Sequence, residues 1–201
     1  MPRLMFLAVL TVVVAILSGC GGVIDDLRTA RDSRDVARRV DALPGTAYRA
    51  VPTSGRAAFD GNAFLLVATP GGPTRLIGDA RLVLDFGRGT VRGEAGDFFE
   101  AARSNRAAVS GAIRFGTRGS RIGAATGAPN TFTTSTTGTL TIVGRPYRVG
   151  GSVDGRMVGT RIDPAGGRSA VKGLTISDVT VATGPTGRRR PLGLAVRALN
   201  R

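Results

Sequence analysis

The stretch GDARLVLDFGRGTVRGEAGDFFEAA, residues 78–102, decides how the chain is read. Leu82, Leu84 and Phe86 alternate with Arg81, Val83 and Asp85, the two-residue period of a strand with one wet and one dry face. With Arg88-Gly89 as a two-residue turn, Phe86 falls opposite Val91 and Asp85 opposite Arg92. Apolar side chains then pair inside and an ion pair forms outside. Residues 78–102 therefore predict an antiparallel hairpin.

Outward from this hairpin the same period recurs. On its N-terminal side, Phe64–Val67 is a short apolar run closed by the turn signal Thr69-Pro70-Gly71-Gly72-Pro73. On its C-terminal side, Val109, Gly111, Ile113 and Phe115 alternate with polar or small residues, and the Gly/Arg-rich stretch 116–129 reads as a loop. Residues 131–137 and 139–143 have the β-branched content of strands, and Gly144-Arg145-Pro146 reads as a turn. Tyr147, Val149, Gly151 and Val153 alternate up to Asp154-Gly155, a further hairpin signal. Residues 171–182 and 192–198 complete the set, with Leu192, Leu194, Val196 and Ala198 on one face and Leu199 breaking the alternation. About eight strands in succession, with no long helix after residue 45, predict an all-β fold: an antiparallel up-and-down barrel. Gly93, Gly111 and Gly151 fall at inward positions, which suits tight curvature and a small interior, either filled by side chains or opened into a ligand cavity.

The N-terminal part is of a different kind. Met1-Pro2-Arg3 carries one positive charge, and Leu4–Ile16 is an uncharged apolar run too short to span a bilayer but suited to a secretory signal. Leu17-Ser18-Gly19-Cys20 follows, containing the only cysteine of the chain. These four residues resemble the bacterial lipobox. The resemblance implies cleavage before Cys20, transfer of a glyceride to its thiol and acylation of the new amino group. Several acyl chains hold a protein on a bilayer far more firmly than one, and Gly21 rather than Asp after the cysteine implies the outer membrane. Residues 21–42, with Val23, Ile24, Leu27, Val36 and Val40 at patchy helical spacing, predict a short amphipathic helix, used as a stalk or packed loosely on the body, and ended by Leu43-Pro44-Gly45. The expected organisation is a signal peptide over 1–19, a lipidated tether and short helix over 20–44, and the barrel over 45–201.

Composition narrows the function. With no histidine and no cysteine besides Cys20, the chain cannot build a Ser-His-Asp or Cys-His device, nor zinc, copper or haem sites of the usual kind. No metal and no cofactor is expected. The 14 acidic residues leave carboxylate catalysis or a calcium site open in principle, but strand acids such as Asp85 and Glu94 fall on the face away from the apolar core, beside arginines. The net charge of +14 comes almost entirely from arginine, Lys172 being the only lysine. The arginines are spread along the chain, so nucleic acid is not the expected partner. Anionic envelope surfaces are nearer for an exported lipoprotein. Two clusters are candidate sites for a phosphate or carboxylate: Arg188, Arg189 and Arg190 at a turn before the last strand, and Arg114, Arg118 and Arg121 around the Gly-rich stretch. Either can equally be solvated surface.

Taken together, the lipobox, Gly45-Thr-Ala-Tyr48, LIGDARLVLDFGRGTVRGEAGDF (76–98), VSGAIRFG (109–116) and GGSVDGRMVGT (150–160) resemble the barrel domain of the bacterial transferrin-binding protein B-like surface lipoproteins, a group that includes the factor-H-binding lipoproteins. The resemblance runs over residues 45–182 in short Gly-rich pieces, and the Gly155–Gly159 segment departs from that family's usual sequence. It implies an anchored eight-stranded barrel that binds a protein or small solute without transforming it; no individual binding residue carries over, and transferrin itself is not implied. The expected function is thus a non-enzymatic binding module on the outer membrane. The alternative is a structural envelope lipoprotein packed against a membrane complex or cell-wall material.

Overall fold

The structure is a computed structural model that describes residues 30–47, 50–101, 109–123, 130–159 and 171–200. The apolar leader and Cys20 lie outside the described residues. Eight strands follow one another: β1 (Arg56–Thr69), β2 (Gly72–Asp85), β3 (Thr90–Glu100), β4 (Val109–Ile122), β5 (Thr131–Ile142), β6 (Arg145–Val158), β7 (Gly173–Thr183) and β8 (Arg189–Asn200). Each pairs antiparallel with its neighbour in sequence, and β1 pairs with β8 to close the barrel. This is the all-β up-and-down barrel that the period-two pattern predicts.

Alternation places the core. Leu82, Leu84, Ile113, Phe115, Leu192, Leu194, Val196 and Ala198 are all buried inside the barrel, together with Phe59, Phe132, Leu140 and Met157. The inward hydroxyls are satisfied locally: Thr136 Oγ1 lies 3.0 Å from Thr180 Oγ1, and Thr180 Oγ1 donates to the Gly150 carbonyl at 3.1 Å. The buried apolar side chains of all eight strands form one cluster inside the barrel.

The central hairpin keeps its inside and outside faces but not its predicted partners. Leu84 faces Val91, Asp85 faces Thr90, and Val83 faces Arg92. The connection is four residues, 86–89, because the Asp85 carboxylate accepts the Arg88 backbone N–H at 2.9 Å and so caps a wider turn, with Gly89 at φ 63°. Asp85 takes its ion-pair partner from β1 instead: Arg56 Nε lies 2.8 Å from Asp85 Oδ2. The Arg56 hydrogen bond, then that of the Arg88 amide, holds the Asp85 carboxyl below its ordinary range.

Other boundaries differ for equally local reasons. The chain reverses over Pro70-Gly71 alone, and Gly72-Pro73 already belong to β2. Residues 116–122 continue β4 rather than forming a loop; its pairing with β5 shifts between Phe115 and Ser120, where Gly116 and Gly119 take positive φ. Residues 131–142 form one strand that runs through Gly138. Asp154-Gly155 lies within β6 and turns nothing. Gly155 is there because it faces the Phe132 ring, whose Cζ would lie 2.2 Å from a Cβ at that position. The Leu199 break in alternation does not end β8, which runs on to Asn200.

The helix, α1, spans residues 30–41. Its inner stripe is Ser33, Val36, Ala37 and Val40, of which Ser33 and Val40 are fully buried, so it is seated more firmly than its few apolar residues suggest. Arg197 on the outside of β8 fastens its end, donating to Asp41 at 2.5 Å, to the Ile176 carbonyl at 2.8 Å and to Ser177 Oγ at 3.1 Å. Arg34, two turns earlier, borders a groove with Leu66, Arg75 and Gly193. The helix thus lies along the outer wall by β1 and β8, running from the rim that carries the β1–β2 turn (the upper rim) toward the opposite, lower rim. Below it the chain doubles back, and Thr46 N–H donates to the Met157 carbonyl at 3.1 Å to join the barrel.

Candidate functional site

Three tight turns meet at the upper rim: β1–β2 at Pro70-Gly71, β5–β6 at Val143-Gly144, and β7–β8 over residues 184–188. Between them lies a cavity of about 280 Å³ whose lining is mainly apolar. Strand parity explains its composition. Directly opposed residues of antiparallel strands share a face. Arg190 faces Ala182, and Arg145 faces Ile142, both of whose side chains are buried inside. Arg190 and Arg145 therefore occupy the last inward positions of β8 and β6, above Leu192 and Tyr147, and Arg188 reaches the cavity from the β7–β8 turn. All three line the cavity, while Val67, Tyr147 and Ala182 form its floor.

Among the described residues, the charges that line this cavity are of one sign. No carboxylate lines the cavity among the described residues, and none of them pairs with Arg145, Arg188 or Arg190. Tyr147 is only 4% exposed, and its hydroxyl makes no hydrogen bond to a described residue.

The rim also carries an unusual backbone. Val143 and Gly144 both take positive φ, 48° and 71°, which gives the tight hairpin turn that Asn-Gly fits best. A β-branched residue in that region is an outlier, and the Val143 side chain, 66% exposed, gains no burial in return. Val143→Asn is expected to stabilise the protein by about 1 kcal/mol, visible as a thermal midpoint raised by about 2–4 °C.

Of the sequence candidates, the Arg188–Arg190 run is split. Arg188 and Arg190 turn into the cavity, whereas Arg189, opposite Thr183, takes the outward parity. Arg189 and Arg190 belong to β8 rather than to the turn. Arg114, Arg118 and Arg121 do not converge. Arg114 pairs with Glu94 at 3.4 Å on the outer wall, and Arg118 and Arg121 sit on the irregular half of β4 toward the lower rim. Cys20 lies outside the described residues. Arg145 was missed because a single arginine beside Gly-Pro carries no local signal. The parity of Tyr147 and Val149 is what would have shown it to point inward. No protein-family model matches the chain, and no curated protein matches it in sequence.

Proposed function

We propose that the protein is an outer-membrane lipoprotein, anchored through Cys20, whose barrel is a non-enzymatic binding module with its binding end at the upper rim. The observation that carries this reading is the arginine-lined apolar cavity: three guanidiniums with no acidic partner among the described residues, over a floor of Val67, Tyr147 and Ala182. Such a mouth, on a barrel whose interior is already packed, suits a small solute or a projecting group of a protein. The lipobox supports the anchor, and the segments resembling transferrin-binding protein B-like lipoproteins support binding without turnover. Asp85 and Glu94, the strand acids that a carboxylate mechanism would draw on, are paired with Arg56 and Arg114 on the outer wall, away from the cavity.

The test is mass spectrometry of the protein extracted from membranes. Under denaturing conditions Cys20 is expected to carry the acyl modification, and Cys20→Ser is expected to accumulate as unprocessed, unacylated precursor. Under native conditions a non-covalent solute is expected on the wild type and not on Arg145→Gln/Arg190→Gln. An unmodified Cys20 in the wild type overturns the anchor; a wild type and double variant equally free of solute overturn the binding end.

A further inference from the structure

Resting on that binding reading, we propose that the upper-rim cavity takes a compact phosphomonoester with an apolar group attached, phosphate outward and apolar group inward. The order of side chains along the strands sets the orientation. Arg188 in the turn and Arg190 on β8 precede Leu192, and Arg145 precedes Tyr147 on β6, so positive charge occupies the lip and apolar surface the floor. A ligand that satisfies both must itself be divided, charged at one end and apolar at the other.

The number of guanidiniums selects the charged end. A carboxylate brings one charge and two oxygens, which a single forked arginine can saturate. A phosphomonoester brings between one and a half and two negative charges and three terminal oxygens, enough to engage three arginines that lack any other partner among the described residues. The apolar floor selects the other end, because an inorganic ion leaves Val67 and Ala182 facing water while an alkyl or ring substituent covers them. The Tyr147 hydroxyl supplies a donor for the ester oxygen where the two parts join. The size selects against a membrane lipid: about 280 Å³ is at the lower bound for ligand pockets. A long acyl chain entering tail-first would meet the packed interior beneath Tyr147.

The experiment uses the full chain extracted in a neutral detergent. Monohexyl phosphate, inorganic phosphate, hexanoate and phosphatidic-acid vesicles serve as probes, with ³¹P line broadening and tyrosine emission as readouts. The chain has no tryptophan, so the emission of its two tyrosines, Tyr48 and Tyr147, is observable, and the ligand-dependent change in it is the signal read. Monohexyl phosphate is expected to bind at least tenfold more tightly than inorganic phosphate or hexanoate, and the vesicles are expected not to displace it. Arg145→Gln/Arg190→Gln is expected to weaken it at least tenfold. Arg114→Gln/Arg121→Gln, with the same loss of charge on the outer wall, is expected to leave it unchanged. Ala182→Leu, which fills the floor, is expected to bring monohexyl phosphate down to the level of inorganic phosphate.

Equal binding of inorganic phosphate overturns the apolar half of the proposal, and equal binding of hexanoate overturns the phosphate half. Displacement by vesicles assigns the site to a lipid headgroup instead. Weakening by the outer-wall pair reduces the effect to net charge and overturns the site. If no probe binds while a solute still co-purifies and depends on Arg145 and Arg190, the ligand class is wrong and the binding reading stands.

Discussion

Gly61→Val is expected to stop the barrel from closing. Gly61 sits on β1 between Ala80 of β2 and Ala198 of β8, so it belongs to the seam that joins the first strand to the last. A Cβ there would lie 2.0 Å from the Arg197 carbonyl oxygen and 2.5 Å from the Ala198 Cα. Both are backbone atoms held by the ladder, so no rotamer change can move them aside. Overpacking that side chains can absorb costs about 1–3 kcal/mol. With backbone on the far side, the cost here exceeds about 3 kcal/mol, a large share of the roughly 5–15 kcal/mol that holds a domain folded. A thermal melt followed by circular dichroism checks it, with Gly71→Ala as the control. A Cβ at Gly71 meets only Thr69 Oγ1, at 3.9 Å, and should change stability by no more than about 0.5 kcal/mol. A Gly61→Val protein melting at the wild-type temperature would show that the seam is looser than the geometry requires.

The second large effect comes from Phe132. Its ring is 1% exposed and packs over Gly155 on the neighbouring strand. Phe132→Ala is expected to cost about 3–5 kcal/mol, the range for truncating a buried aromatic. Gly155→Ala is destabilising for the opposite reason, since its Cβ would lie 2.2 Å from the ring. The two effects share one space and so do not add. With the ring gone, a methyl at 155 has room and removes a conformationally costly strand glycine. In urea denaturation the double variant should therefore be more stable than the sum of the single losses by at least about 1 kcal/mol. Strict additivity would mean that something other than the ring keeps a side chain out of position 155.

These two glycines also show what the sequence could convey. Which face of each strand points inward was legible almost throughout, because alternation is a property of neighbouring residues: Leu82-Val83-Leu84 and Leu192–Ala198 state it locally. Register was less legible. The hairpin at residues 78–102 is offset by two residues from the simplest pairing because one side chain, Asp85, caps a backbone amide and widens the turn. Asp154-Gly155 has the composition of a turn, but its glycine answers to a ring 23 residues back in sequence, on another strand. The Gly-rich stretch after Phe115 reads as a loop because glycine is the same letter whether it ends a strand or bends one. For the site, the arginine run at 188–190 was visible as charge, yet its meaning came from parity and strand order. Parity turns Arg190 inward and Arg189 outward, and the turn carries Arg188 to the cavity. The pairing of β6 with β7 and of β7 with β8 then brings Arg145, some 40 residues distant in sequence, to the same lip.

The direction of α1 fixes how the barrel can be carried. The helix descends from the upper rim, so its first described residue, Ala30, lies toward the arginine-lined mouth rather than the opposite rim. Nine residues lie between Cys20 and Ala30, and the ten Cα steps that join the two reach no more than about 36 Å even fully stretched. Within the proposed function, that leash keeps the mouth close to the bilayer rather than holding it out on a stalk. A ligand would then be met in the thin layer of water next to the membrane, where the anchor confines the protein to two dimensions.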